Sequence, residues 1–207
     1  MSLIDDYSKR YVKALAPIAC AIEEELKRLL KNTKQIDRIS ARPKGIERFV
    51  KKAEKVDKDG TLKYSKPLLQ IQDQVGARVV CFYRSDVEIV SNLLLDHYRK
   101  IEDRELVPDK VNAFGYEGRH FILLIPQDVV PDGVADEERP NFFELQVKTL
   151  FQHAWAEAEH DISYKAPVDL SSDQERMIAY AAAQAWGADR IFDELTRDIQ
   201  NQIPAAL

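Results

Sequence analysis

The stretch from Val75 to Tyr83, Val-Gly-Ala-Arg-Val-Val-Cys-Phe-Tyr, constrains the fold more than any other part of the chain. It is apolar, β-branched and short, which is the pattern of a buried strand. Arg78 interrupts it. An unpaired buried charge is costly, so this guanidinium needs a partner. Asp73 just upstream, Glu144 far downstream, or a flat aromatic base stacked on the guanidinium plane would each serve. A plain structural salt bridge is an equally good reading of the residue. Gly76, two positions earlier, lets backbone or ligand approach closely.

Around this strand the periodicities alternate. Leu3 to Leu30 reads as an amphipathic helix with Tyr11, Leu15, Ile18, Ile22 and Leu29/Leu30 on the dry side. A short strand is expected at Ile36–Ala41, then a helix over Ile46–Val56 with Phe49, Val50 and Ala53 inward. Asp57–Ser65 is a polar loop with a turn at Lys58-Asp59-Gly60. Ser85-Asp86 caps a helix over Val87–Arg99. Ile101–Val107, His120–Pro126 and Pro140–Lys148 are strands, Leu150–Tyr164 is a helix, and Asp169–Ile199 is a closing helical segment. The order predicts an α+β (mixed) single domain: a sheet of about five strands flanked by helices, with helical extensions at 1–32 and 169–207 around a core of 33–168.

Composition narrows the function classes. At 207 residues, with 45% hydrophobic and 31% charged residues, the chain matches one globular domain. No apolar run reaches the roughly 18 to 20 residues of a membrane span. Met1–Arg10 is charged and lacks the apolar region of a secretory signal, so a cytoplasmic location is expected. Cys20 and Cys81 sit in apolar surroundings and read as buried free thiols. A formal charge of −5 gives no global pull toward nucleic acid. Any site for a polyanion must be local.

Two segments supply one. In Arg42-Pro-Lys44-Gly-Ile-Glu-Arg48-Phe-Val-Lys51-Lys52, a helix starting near Gly45 places Lys44, Arg48 and Lys52 at i, i+4, i+8. Like charges at that spacing oppose each other unless an anion lies among them, and a helix N-terminus also suits phosphate. A solvated helix face is the plain alternative. In Phe-Phe-Glu144-Leu-Gln146-Val-Lys148-Thr149, strand period puts Phe143, Leu145 and Val147 on one face and Glu144, Gln146 and Lys148 on the other. A carboxylate, an amide and an ammonium in a row can respectively take a proton or hold Mg²⁺, orient a hydroxyl, and meet a phosphate. An exposed sheet face explains the same pattern. The strand leads straight into a helix, and the carboxyl ends of strands are common places for a site.

Taken together, these segments resemble the RelA/SpoT-type alarmone synthetases, in particular the small single-domain ones, in order from Arg42 to Lys165. The nucleotide-binding stretch is Arg42, Lys44 and Lys52. The Asp-x-x-Gly-x-Arg motif is Asp73, Gly76 and Arg78, and the Gly-Tyr-x-x-x-His loop is Gly115, Tyr116 and His120. The Glu-x-Gln-x-Arg-Thr strand is Glu144, Gln146, Lys148 and Thr149. The closing helix motif is Trp155, Glu159, His160, Tyr164 and Lys165. The resemblance implies a nucleotidyltransferase-like fold and a pyrophosphokinase that moves the β,γ-pyrophosphoryl group of ATP to the 3′-hydroxyl of GTP or GDP, with Mg²⁺. It implies that Arg42 and Arg78 sandwich adenine, and that Lys44, Lys52 and Arg48 meet the phosphates. Asp73 would hold Mg²⁺, with Glu144 as base or second metal ligand and Gln146 beside it. Tyr116 and Lys148 would face the acceptor. His120, Glu159, His160 and Lys165 would orient Glu144 and the loop. Assembly as a homo-oligomer, such as a tetramer, is part of the same expectation.

Three departures bear on the transfer: Arg48 replaces the usual Ser, Lys148 replaces an Arg and so loses its bidentate fork, and the loop carries Glu117-Gly118 before Arg119. The acceptor is therefore the open question. A toxin-type relative acting on the 3′-terminal adenosine of tRNA is one alternative, served by a basic patch at Lys51, Lys52, Lys55 and Lys58. A non-catalytic nucleotide-binding module is another, and it would lack Asp73 or Glu144. A metal phosphohydrolase built on His153 and His160-Asp161 lacks a second pair with ligand spacing.

Overall fold

The computed structural model describes residues 2–108, 110, 113–115, 118–165 and 169–202. The chain runs α1 (Leu3–Arg10), a π-helical turn (Tyr11–Leu15), α2 (Ala16–Leu29), β1 (Ile36–Pro43), α3 (Ile46–Ala53), α4 (Pro67–Gln70) and β2 (Val75–Cys81). It continues with α5 (Arg84–His97), β3 (Lys100–Leu106), β4 (Gly118–Leu124), β5 (Phe142–Thr149), α6 (Leu150–Lys165) and α7 (Ser172–Gln202). The sheet order is β1-β2-β5-β4-β3. Only the central pair β2–β5 is parallel; every other pairing is antiparallel. The five-stranded mixed sheet of an α+β domain is what the alternating periodicities required.

The two faces of this sheet differ completely. Val75, Ala77, Val79 and Cys81 of β2, and Phe143, Leu145 and Val147 of β5 belong to the hydrophobic core, joined by Phe121 and Leu123 of β4, with the half-buried Ile39 and Ala41 of β1 packed against it. Helices α2 and α5 cover this face, contributing Ile18, Ile22, Leu26, Val90 and Leu94 to the same core. Burial of each large apolar side chain contributes about 1.5–3 kcal/mol, so this layer carries the stability of the fold. The opposite face carries Arg42, Arg78, Glu144, Gln146 and His120, and α6 covers only part of it.

The N-terminal helices tie this scaffold to the polar face. Ser2 caps α1 through a capping box with Asp5. Tyr7 is fully buried, stacks on Phe49 of α3 with ring centroids 3.7 Å apart, and donates from its hydroxyl to the Lys44 carbonyl at 2.9 Å. The buried Arg10 donates to the carbonyls of Leu68, Glu138 and Arg139 at 2.7–2.8 Å, which satisfies a guanidinium without a carboxylate contact.

Several local expectations are corrected. Helix α3 stops at Ala53 rather than Val56, because Val56 pairs with Leu62 in a bridge that closes the Lys58–Gly60 turn. Cys81 is buried but Cys20 is exposed. On α2, Cys20 lies nearly half a turn from the buried Ile18–Ile22 stripe, so its apolar sequence neighbours do not cover it. Ile191 and Leu195 of α7 are 58% and 51% exposed. The buried side of α7 holds Ala182, Asp189 and Asp193 instead.

Candidate active site

Register assembles the polar face row by row. Arg42, Gly76, Glu144 and Ile122 form one cross-strand row; Ser40, Arg78, Gln146 and His120 form the next; Arg38, Val80 and Lys148 form a third. Because β1 runs antiparallel to β2, the end of β1 meets the start of β2. Lys44 leaves β1 beside Asp73, which precedes β2, and the Lys44 amide donates to the Gln74 carbonyl at 2.8 Å.

Asp73 is the anion among the cations of α3. The Lys44 ammonium donates to its Oδ2 at 2.7 Å, and the Lys52 ammonium lies 2.9 Å from the same oxygen. Burial pushes the Asp73 carboxyl up, but the two lysines outweigh it and hold the group below the usual carboxylate range. Its other oxygen, Oδ1, is buried with no hydrogen-bond partner. Arg48, between the two lysines in sequence, is exposed on α3.

Glu144 sits across Gly76 from Arg42. Its Oε1 is 2.9 Å from His120 Nδ1. Burial raises the carboxyl, and the hydrogen bond and charge of His120 more than reverse this, leaving Glu144 below its ordinary range. The charges of Asp73 and Lys52 are both felt at Glu144, so the two carboxylates share one site. Gly76 lies in the same row, and a Cβ built on it meets nothing within 4 Å. The space above the strand at this point is open rather than packed with protein.

Arg78 finds neither Asp73 nor Glu144. Its Nη1 donates to Glu157 Oε1 at 2.6 Å and to His153 Nδ1 at 3.2 Å, both on α6. A guanidinium only donates, so His153 Nδ1 accepts and the ring is neutral there; burial and then Arg78 lower its pKa accordingly. Helix α6 thus turns His153 and Glu157 to Arg78, whereas Glu159 is half-buried and His160 exposed. Lys148, expected at an open acceptor surface, is 2% exposed. Burial and the neighbouring Arg78 pull its pKa down to about 8. Gln146 is half-buried between Arg78 and His120 in register. Tyr116 and the side chain of Lys165 lie outside the described residues.

The site also occupies a different end of the strands from the one expected. Asp73 precedes β2 and Glu144 is the third residue of β5, so the two candidate carboxylates stand on the amino-terminal half of the parallel pair. Helix α6 closes the carboxyl end. Two groups escaped sequence reasoning here: Glu157, and Asp189, whose Oδ2 accepts from the Thr149 hydroxyl at 2.6 Å and pins α7 to the β5–α6 junction. The one-turn spacing of His153 and Glu157 marks a shared helix face. Nothing local says what that face covers. Among the described residues, no group of three His, Cys, Asp or Glu side chains can hold a metal by itself.

A mixed sheet bearing two carboxylates, two clustered lysines and paired arginines on one open face defines a nucleotide-handling phosphotransfer domain. The profile described as "Region found in RelA / SpoT proteins" matches residues 41–169, and the chain belongs to that family. It is 25% identical over 207 residues to the GTP pyrophosphokinase YjbM of Bacillus subtilis, covering 93% of this chain and 91% of that one. Its fold is that of the small alarmone synthetases. Small alarmone synthetase 1 from Bacillus subtilis superposes with a TM-score of 0.76 at 19% identity, over 95% of this chain and 99% of that one. A GTP pyrophosphokinase family protein from Streptococcus pneumoniae gives 0.75 at 23% identity, over 97% of both.

Proposed function

We propose that this chain transfers the β,γ-pyrophosphoryl group of ATP to the ribose 3′-hydroxyl of GTP or GDP, releasing AMP and forming (p)ppGpp. The observation that carries the reading is the convergence of Asp73, Glu144, Lys44 and Lys52 over the open Gly76 row. The B. subtilis relative named as a GTP pyrophosphokinase supports the acceptor.

The acceptor 3′-oxygen attacks the β-phosphorus of ATP, the bond from the α-phosphate oxygen to that phosphorus breaks, and AMP leaves. The hydroxyl proton passes to the Glu144–His120 pair, whose carboxylate is ionised at neutral pH. Gln146, next in the strand, orients the hydroxyl. Lys44 and Lys52 exchange Asp73 for the transferred phosphates, which puts two positive charges where negative charge develops. Arg42 and Arg78 grip the base of ATP, and Arg48 stands beside its phosphates. Tyr116 is assigned to the acceptor base.

The donor set fits Mg²⁺. The orphaned Oδ1 of Asp73 is a hard oxygen ligand in want of a partner, and Glu144 supplies a second carboxylate in the same site. Held by Asp73 and Glu144, a Mg²⁺ ion would supply neutralisation of the charge that develops during transfer. Among the described residues no helix is long and apolar enough to cross a membrane, and the cytoplasm is the location proposed. The exposed stripe of α7 formed by Met177, Tyr180, Ile191, Leu195 and Ile199 is where a homo-oligomer would pack.

Labelled ATP incubated with GDP, GTP, ATP and tRNA in separate reactions tests the reading. AMP release that depends on GDP or GTP, with label on the guanosine nucleotide, is the expected result. Label on tRNA places the chain with the toxin-type relatives. No release with any acceptor makes it a binding module.

A further inference from the structure

Helix α6 delivers the Glu157 carboxylate to Arg78 on the polar face. Glu157 bonds Arg78 through Oε1, and its pKa also registers the charge of Arg42. It therefore stands at the edge of any slot those two guanidiniums form. Among the described residues all its contacts, to Arg78 and at 3.9 Å to His153, run through Oε1, so Oε2 is uncommitted. Its side chain is 57% exposed, against 23% for Arg78. A carboxylate serving only as a structural counter-ion would be expected to sit as deep as the charge it neutralises. Here the cation is sunk into the sheet face and the anion reaches out of it.

We propose that Glu157 reads the base of the pyrophosphoryl donor, selecting a 6-aminopurine over a 6-oxopurine. This rests on the reading of Arg42 and Arg78 as the grip on the donor base. An ionised carboxylate is acceptor-only. An exocyclic amino group offers it a proton in a charge-assisted hydrogen bond, whereas a 6-oxo group presents lone pairs to a negative charge. Stacking on guanidinium planes is blind to that difference, because every base has a π-face. Arg42 and Arg78 alone would accept adenine and guanine alike. A protein that takes a guanosine nucleotide as acceptor must keep that nucleotide out of the donor slot. An edge carboxylate does this by repulsion as well as by attraction. His153 is a positioning residue in this arrangement: it takes a second bond from the same Arg78 nitrogen and fixes the guanidinium plane.

The test compares ATP, the triphosphate of unsubstituted purine riboside, and ITP as donors to GDP. Both kcat/KM for release of the monophosphate and the affinity of each triphosphate by calorimetry are measured. Wild type should favour ATP over the purine riboside triphosphate by roughly ten- to a hundredfold, the worth of one hydrogen bond to a charged group. Glu157→Ala should shrink that preference to within about threefold, and Glu157→Gln, whose amide can donate, should raise relative use of ITP. An equal loss for all three donors would mean that Glu157 merely orients Arg78, and would overturn the proposal. So would a wild type indifferent to the 6-substituent. If wild type turns over none of the donors yet binds ATP selectively, and Glu157→Ala removes that selectivity, the base reading stands and the pyrophosphoryl-transfer reading falls.

Discussion

Asp73→Asn tests whether the ionic cluster at the start of β2 is built as the structure shows it. The carboxylate holds two ammoniums on a single oxygen, at 2.7 and 2.9 Å. Side-chain exposures of 16% for Asp73, 19% for Lys44 and 29% for Lys52 put the cluster between the buried and surface regimes. Removing one partner of a fully buried pair costs about 3–5 kcal/mol, and a surface pair is worth about 0–1 kcal/mol. An intermediate cost of about 2 kcal/mol follows, or about 4–8 °C in Tm for a chain of this size. The amide keeps the shape but leaves two half-buried cations facing each other.

The pH dependence gives the sharper check. The folded-state pKa of Asp73 lies below its ordinary 3.8, so its contribution is fully present above about pH 5 and is lost as pH falls through the folded value. Denaturant titrations of wild type and Asp73→Asn should differ by about 2 kcal/mol at pH 7, and the gap should close in acid. Pyrophosphoryl transfer should fall at least a thousandfold, because phosphate clamps of this kind supply several kcal/mol of transition-state stabilisation. A stability gap that stayed constant from pH 7 to pH 3 would refute the placement of the lysines on Asp73.

Three further outcomes follow from the same geometry. Gly76→Val should change stability by less than about 1 kcal/mol, since its side chain meets open space, while raising the KM for ATP roughly tenfold or more as the methyls enter the pocket; steady-state kinetics and thermal unfolding together decide. His120→Gln removes the imidazole that outweighs burial at Glu144, so the acid limb of kcat/KM should move to higher pH, and an unmoved limb would detach His120 from the reacting carboxylate. Lys148→Met should be more stable than wild type near pH 7, with the gap narrowing as pH rises from about 8 toward 10.5; the folded pKa is depressed to about 8 from 10.5, so the unfolded chain holds the extra proton in that window and wild-type stability climbs across it.

The strands and the two-faced pattern were legible because each rests on a local period. Glu144, Gln146 and Lys148 alternate with Phe143, Leu145 and Val147 in the sequence as they do across the sheet. Asp73, Gly76 and Arg78 are equally close in the chain, and Lys44 and Lys52 sit on one side of α3. The partners that set the chemistry were not legible. Glu157 lies 79 residues from Arg78, and Asp189 lies 40 from Thr149; neither pairing leaves a trace in a periodic pattern. The π-helical turn at Tyr11–Leu15 and the short helix α4 were likewise missed. One inserts a residue into a pattern that reads as continuous α-helix, and the other has too few residues to show a period.

Depth along a single strand explains why three residues of one face behave so differently. Glu144, Gln146 and Lys148 share a side of β5, yet the first lies in the open Gly76 row and the last is only 2% exposed. At Glu144 water and substrate can reach the carboxylate, and one imidazole suffices to keep it ionised. At Lys148 the same strand face has become interior, and burial, with Arg78 beside it, pulls the ammonium's pKa down. A phosphate cannot follow it there without losing its own hydration. Under the pyrophosphoryl-transfer proposal, the cations placed to exchange an internal carboxylate for a phosphate are Lys44 and Lys52, both paired with Asp73, while α6 brings Glu157 to Arg78. The carboxyl end of the parallel pair thus differs from its amino-terminal half in two ways: the Lys148 ammonium is buried there, and the Glu157 carboxylate meets Arg78 there.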